Sequence, residues 1–427
     1  MLNRTFVIAF AAVLAYAGPA VADAPSRPDY VLVADPKLGM EGGVLTFGSI
    51  GRLIYHYEDA LPRLVDVDEA ATVSGKFVGI LGRSLKLVFL DDPLADVEST
   101  AIHEVFGHGA RAREFGQQPN YTFTLPGVYC LILSPKDKEC TSLAKVQRSP
   151  ELRDQDLAIT LGGIESNYLT AWWINVQIMQ TGGWAHHGDL LVYLRSKGSY
   201  VTSFFDGDLK VAGLLQPPSN DVDHYVTGLQ DRFNRWRPED RASIASKLQS
   251  AYLWNLFDPT LLFAFYSTVV NSIYRGERYS RLPLPSVGDT SFYPVPRFNV
   301  SPFGAEHYLD VFLSRRGAAL DLYARIGSSG LASYSGAGVR VMGWRPFKRL
   351  GLGGELDVWN QPETLPYERA VYNRQNRYGG NVGALVDVSV IDRIGASVKI
   401  AYKSEGYLMG QPLGDGLYGY AGITITP

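Results

Sequence analysis

From about residue 290 onward, apolar and polar positions alternate with a period of two. Leu320, Leu322, Ala324 and Ile326 interleave with Asp321, Tyr323 and Arg325. Ile394, Ala396, Val398, Ile400 and Tyr402 interleave with Gly395, Ser397 and Lys399, and the pattern recurs over 350–358, 384–390 and 420–425. Successive side chains of a strand point to opposite faces, so the pattern predicts about eight strands between Phe292 and Thr426. Connections are short at 314–317, 344–349 and 391–393, and long at 360–378 and 404–416. Short turns on one rim, long loops on the other and strands of about ten residues suit a membrane β-barrel. Aromatics near strand ends (Trp344, Trp359, Tyr402, Tyr407, Tyr418) would form its interfacial girdles. A soluble antiparallel sheet shares the alternation, and the chain ends Thr-Ile-Thr-Pro without a terminal aromatic, so both architectures stay open.

The preceding part has another texture. Residues 30–92 read as short strands and turns, because VLVA, GGVLTFG, GRLIYHY and SLKLVFLDD place Val, Leu, Ile and Tyr between Gly and Asp breaks. Between 97 and 115 the period becomes helical: Ile102, Val105, Phe106 and Ala110 share a face, and Ser99-Thr100 can cap the start. Residues 150–182 and 223–276 also read as helical, with Ser149 and Asp154 as cap candidates and a break at Asp258-Pro259. Pro259 to Tyr274 carries no charge but is short for a membrane span, and is expected as a buried core helix, with a membrane-embedded helix as the alternative. The predicted fold class is α+β. A mainly helical domain with some strands, 23–287, precedes an antiparallel β domain, 288–427.

Composition narrows the class. With 46% hydrophobic and 19% charged residues the chain is too apolar to be disordered. It lacks the repeated apolar runs of about twenty residues that a helical membrane protein needs. A net charge of -3 gives no basic field for a nucleic-acid partner. Residues 1–22 read as a secretory signal peptide: Arg4, an apolar run from Thr5 to Ala17, and Ala20-Val21-Ala22 before Asp23. The chain is therefore expected in a bacterial-type periplasm or outer membrane. Cys130 and Cys140, close together in CLILSPKDKEC, are expected to form a disulfide there.

The sharpest chemical signal is His103-Glu104-Val105-Phe106-Gly107-His108. Two His and an adjacent Glu on a helix are a zinc-binding pattern, here one residue longer than HExxH. On a regular helix, residues five apart diverge by about 140° and would not aim at one ion. A local π-bulge would absorb one residue and restore a common face, and Gly107 eases that distortion.

HEVFGHG resembles the HExxGH motif, commonly followed by Gly, of the dipeptidyl-peptidase III family of zinc peptidases. The resemblance is confined to this motif. It implies a zincin-like helical domain, Zn2+ as cofactor, His103 and His108 as ligands and Glu104 as general base. Zinc wants a third protein ligand and an open position for water. Glu165 is the first choice, because it is a lone carboxylate in the apolar stretch Leu157 to Thr181, and a Glu on a separate helix resembles the gluzincin arrangement. Asp189, His186, His187 and Glu114 are rivals. For the oxyanion, His224 beside Asp223 and Tyr225 is the candidate donor, with His186 and His187 as alternatives.

The expected function is an exported zinc-dependent hydrolase, a metallopeptidase acting on a peptide or protein substrate. The alternative is a non-enzymatic envelope protein whose β domain meets outer-membrane lipid and whose helices form a plug.

Overall fold

Eight strands form where the alternation predicts them, and two more join the same sheet. The computed structural model describes residues 29–60, 73–133, 142–145, 153–210, 220–234, 241–328, 333–363, 376–391 and 393–425. The fold is α+β. The eight are β3 (Thr290–Ser301), β4 (Gly304–Arg315), β5 (Ala318–Ser328), β6 (Ser333–Phe347), β7 (Leu350–Gln361), β8 (Arg377–Ile391), β9 (Ile394–Lys403) and β10 (Gly416–Ile425). The additions are β1 (Tyr30–Ala34) and β2 (Ser286–Val287). The antiparallel order is β1-β10-β9-β8-β7-β6-β5-β4-β3-β2, so β1 and β2 are the two edges. Among the described residues no pairing joins those edges.

The sheet is inverted relative to a water-soluble one. Its buried face carries Asp321, Tyr323 and Arg325 on β5, Asp357 on β7 and Lys399 and Lys403 on β9. Its exposed face carries Leu322 and Ile326, Leu356 and Val358, and Val398 and Ile400 on the same strands. The buried charges have polar partners, Lys403 among backbone carbonyls and most of the others in ion pairs. Arg325 bonds Glu306 at 2.8 Å, Arg297 bonds Asp310 at 2.7 and 2.9 Å, and Lys399 bonds Glu41 and Glu355. Burial of charge is tolerable only with such partners. Of the aromatics assigned to a girdle, Trp344 and Tyr402 face outward, whereas Trp359 and Tyr407 are buried inside.

Glycine-rich stretches between 40 and 91 form helices, not strands. Helix α1 is Met40–Ala60. A helical run over residues 73–114, α2, contains π segments at Leu87–Asp91 and Ile102–His108. The glycines serve close helix packing instead of turns: a Cβ on Gly43 would stand 2.0 Å from Phe106, and one on Gly51 would stand 1.8 Å from Glu98. Helix α3, Arg153–Gln180, is apolar on nearly all sides and is buried throughout 157–172. It lies against the polar face of the sheet, with Trp172 Nε1 donating to Asp321 at 2.8 Å and Ser314 donating to the Met179 carbonyl at 2.6 Å. Helices α4, Asp221–Asn234, and α5, Pro259–Tyr274, complete the set used below. The latter is only half a core helix, since Phe265, Val269 and Tyr274 are exposed.

Residue 288 marks where the sheet proper begins, but it does not separate two cores. One apolar cluster contains Leu161 and Ile164 of α3 together with Phe298, Val300 and Phe312 of the sheet. In addition, β1 pairs with the last strand from Tyr30↔Ile425 to Ala34↔Ala421. The segment 404–415 turns inward: Tyr407, Leu408, Met409 and Leu413 are buried. The signal-peptide segment 1–22, the cap candidate Ser149 and Cys140 of the expected disulfide lie outside the described residues.

Candidate metal centre

The motif HEVFGH occupies the π segment Ile102–His108. Hydrogen bonds of i→i+5 type return residues five apart to one face. His103 and His108 therefore converge, with their Nε2 atoms 3.1 Å apart and their rings edge to face. Gly107 has a further reason to be there. A Cβ on it would lie 2.6 Å from the Gly162 carbonyl and 2.6 Å from the Gly163 Cα, so α2 and α3 cross in backbone contact.

The third donor is Asp221, at the start of α4. Its Oδ2 lies 2.8 Å from His103 Nε2 and 3.3 Å from His108 Nε2. Donors around a tetrahedral ion with bonds of ~2.1 Å stand about 3.4 Å apart, so the observed triangle is slightly contracted but of the right size. All three donor atoms lie within 4.8 Å of one another, and the group could hold a metal ion. Asp221 is 30% exposed, against 15% and 11% for the two histidines, so the open side of the triangle is on the α4 side.

The surroundings fix the rings for this purpose. His108 Nδ1 donates to the Ile159 carbonyl at 2.7 Å, which leaves Nε2 with its lone pair toward the site. His103 Nδ1 is held by the Tyr200 hydroxyl at 2.9 Å, and Asn167 Nδ2 donates to that hydroxyl at 2.9 Å. With a cation on His103 Nε2, the ring proton sits on Nδ1 and donates to Tyr200. Gly163 supplies the remaining room. A Cβ there would stand 2.6 Å from both Nε2 atoms, in the space a shared ligand of the two rings occupies.

Glu104 is buried beside this triangle, and its Oε2 makes no hydrogen bond. Burial raises its pKa above the usual carboxylate range, and the Asp221 charge adds to that, while His103, His108 and the Ala144 backbone pull the other way. Burial opposes a proton on His108, but the charge and hydrogen bond of Asp221, with help from Glu104, win and push its pKa to about 9. Asp221 also loses some anion stability through burial. The two histidines more than offset that, and its pKa falls well below the ordinary value.

Glu165 does not join the donors. Its carboxylate accepts two hydrogen bonds from Arg111, at 3.0 Å from Nε and 2.5 Å from Nη2, and a third from the Gly410 N–H at 2.8 Å. A carboxylate alone in an apolar helix must find a partner, and here the partner is arginine. Glu114, a rival, also binds Arg111 and the Leu413 N–H. His187 faces Asp91 at 3.4 Å, and Asp189 is buried near Arg52 and His186, so neither is in the triangle. His224 is half-buried on α4, one turn after Asp221, and is not one of the three donors. Neighbouring Asp223 is held by Arg241. Asp221, Tyr200 and Gly163 went unnoticed in the sequence. The only local hint of Asp221 was its position between a cap residue, Asn220, and the Asp223-His224 pair, with Asn220 Oδ1 accepting from the Asp223 N–H at 3.0 Å.

Comparison of the chain with protein-family models, with curated proteins and with solved structures gives no significant match to any of them.

Proposed function

We propose that the chain is an exported zinc-dependent hydrolase, and within that class a metallopeptidase. The single observation that carries this reading is the convergence of His103, His108 and Asp221 with an adjacent buried Glu104 that has an unpaired oxygen. Two imidazoles and one carboxylate are a donor set suited to zinc, with room left for water. Zinc held there would supply Lewis acidity to a carbonyl and lower the pKa of water. Glu104 accepts the proton of the attacking water and returns it to the leaving amine, a task that its raised pKa suits. Tyr200 and the Ile159 carbonyl hold the imidazoles in place through the cycle. His224, close by on α4, remains the candidate for the oxyanion.

The test is a pair of measurements on the purified protein. Metal analysis should find one zinc per chain, lost in a His103→Ala/His108→Ala double variant. Glu104→Gln should keep the zinc and abolish peptide hydrolysis. Full hydrolysis by Glu104→Gln would remove Glu104 as the general base, and a wild-type protein that hydrolyses no peptide, ester or glycan would overturn the enzymatic reading and favour a non-enzymatic envelope protein. Hydrolysis of esters or glycans but not peptides would keep the centre and change its substrate.

The inverted sheet supports placement in the outer membrane. Charged side chains turned inward and aliphatic ones turned outward are the arrangement of a lipid-facing β wall, not of a water-facing one. Trp344 and Phe347 are exposed at the rim of the short turns, and Tyr378 and Tyr402 at the opposite rim, as interfacial anchors would be. Recovery of the protein wholly in the soluble periplasmic fraction would sink this placement.

A further inference from the structure

A β wall in a membrane must leave no open edge, because unpaired backbone groups have no water to bind in hydrocarbon. Among the described residues the two edges are not paired with each other, but backbone donors along both are met in other ways. On the β1 edge, the Val31 N–H donates to Ser49 Oγ at 2.8 Å and the Val33 N–H to Thr46 Oγ1 at 2.9 Å, both from α1. On the β3 edge, the Phe292 N–H points away from β4 and donates to the Pro285 carbonyl at 2.9 Å. Pro294 and Pro296 follow at the same alternation and have no N–H to leave unpaired.

Helices bridge the gap between these edges in an unbroken series of contacts. Helix α1 touches α2 where Gly43 meets Phe106 and Gly51 meets Glu98. The Arg83 guanidinium of α2 donates to the Ile273 carbonyl of α5 at 2.7 Å. Thr260 of α5 bonds the Tyr293 hydroxyl of β3 at 2.9 Å.

The outward surface of the bridge is as apolar as that of the sheet. From Phe77 to Leu90 every exposed residue is apolar or Gly: Phe77, Val78, Leu81, Leu85, Val88 and Phe89 among them. The two charges in that stretch are half-buried and engaged, Arg83 with α5 and Lys86 with Asp91 at 2.6 Å. Between 253 and 274 the exposed residues are Leu253, Trp254, Leu256, Phe257, Phe265, Val269 and Tyr274, while Asn255, Asp258, Thr260, Ser267 and Asn271 are buried. Helices Arg241–Phe257 and Pro259–Tyr274 together meet the length and hydropathy of a span, bent by 63°. Exposed charge returns at Arg275 and Glu277, directly after Tyr274.

We propose that α1, α2 and α5 complete the β sheet as a closed α/β wall, and that the outward faces of α2 over 77–90 and of 253–274 lie in the hydrocarbon of the same bilayer as the sheet. The occupant of this apolar surface is phospholipid acyl chain. The inference rests on the membrane placement of the sheet and extends it to helices that a strand-only barrel would not use.

The experiment uses the full chain in vesicles of phosphatidylcholine and phosphatidylglycerol. It is labelled in parallel with an apolar carbene reagent dissolved in the bilayer and with a water-soluble one, and the sites are mapped by mass spectrometry. The expected result is bilayer-borne labelling of peptides 77–90 and 253–274 within about threefold of that at 382–390 and 394–402, and little water-borne labelling at any of them. Helix peptides labelled from water while the sheet peptides are labelled from the bilayer would overturn the helical wall and leave the sheet placement intact. Helix peptides labelled by neither reagent would mean that protein, such as a second copy, covers them, and would also overturn it. Sheet peptides labelled from water would remove the placement on which the inference rests, and the inference with it.

Discussion

Arg111 and Glu165 form a fully buried two-pronged ion pair that ties the helix carrying His103 and His108 to the helix beneath it. Arg111 sits three residues past His108, so the pair fixes the register at which α2 presents its histidines. Glu165→Ala leaves the guanidinium buried with less than its full complement of partners. The expected loss of stability is about 3–5 kcal/mol in denaturant unfolding. Zinc stoichiometry in the protein that remains folded should stay near one, whereas Asp221→Ala should lose it. A folded Glu165→Ala without metal beside an Asp221→Ala that retains it would restore Glu165 as the ligand.

Gly163 offers a cleaner probe of the centre, because the substitution favours the helix while obstructing the site. Alanine in place of glycine inside α3 should add ~1 kcal/mol of helix propensity, which the displacement of the two imidazoles by its methyl group offsets. Its methyl group would stand 2.6 Å from both Nε2 atoms. Zinc affinity by competitive titration should fall by at least about tenfold, ~1.4 kcal/mol, with the circular dichroism unchanged. Wild-type affinity in Gly163→Ala would mean that the ion does not sit between these rings.

The pH dependence of zinc binding has a definite sign. A cation binding to His108 Nε2 must displace a proton held with a pKa of about 9. Apparent affinity should therefore rise with pH up to about 9, by roughly tenfold per unit for one proton displaced. Stability of the zinc-stripped protein runs the opposite way. Because the folded pKa is raised, the His108–Asp221 contribution is fully present below about 6.5, the unfolded value, and is lost as pH rises through about 9. Thermal denaturation of the chelator-treated protein and of its His108→Gln variant at pH 6 and 9 checks this, since both carry the opposing contribution of the buried Lys403; an advantage of wild type over the variant that is no larger at pH 6 than at pH 9 would contradict the pairing.

The β1 edge depends on two hydroxyls. Thr46→Val and Ser49→Ala should each cost ~1 kcal/mol, because each removes the partner of a half-buried backbone donor. Thr46→Ser should cost much less, since the hydroxyl is kept. Unfolding midpoints of the four proteins decide it, and a Thr46→Val as stable as wild type would show the edge to be sealed otherwise.

The strands were readable because alternation is a property of neighbours: Asp321 beside Leu322 already places one residue on each face. Which face is interior could not be read that way, and the structure puts the aspartate inside, bonded to Trp172 from a helix distant in sequence. Stretches such as GGVLTFG and GRLIYHY misled for a physical reason. Their glycines resemble turn signals, but Gly43 and Gly51 are small because Phe106 and Glu98 press against them. The π geometry at His103 and His108 followed from their five-residue spacing. Asp221 did not follow from anything local, since 118 residues separate it from His103 and only tertiary packing brings them together. Glu165 failed as a ligand because the argument that a buried carboxylate needs a partner is correct without saying which partner.

The inward-turned segment 404–415 bears on when this protein becomes competent. Its Gly410 N–H binds Glu165 across 245 residues, and its Gln411 carbonyl binds Arg111 across 300. Contacts of such separation close late, because the chain entropy of the intervening loop must be overcome first. A chain whose last strands have not yet docked therefore carries the HEVFGH helix without this support. A fixed foundation beneath the His103, His108 and Asp221 triangle therefore waits for the docking of the final strands.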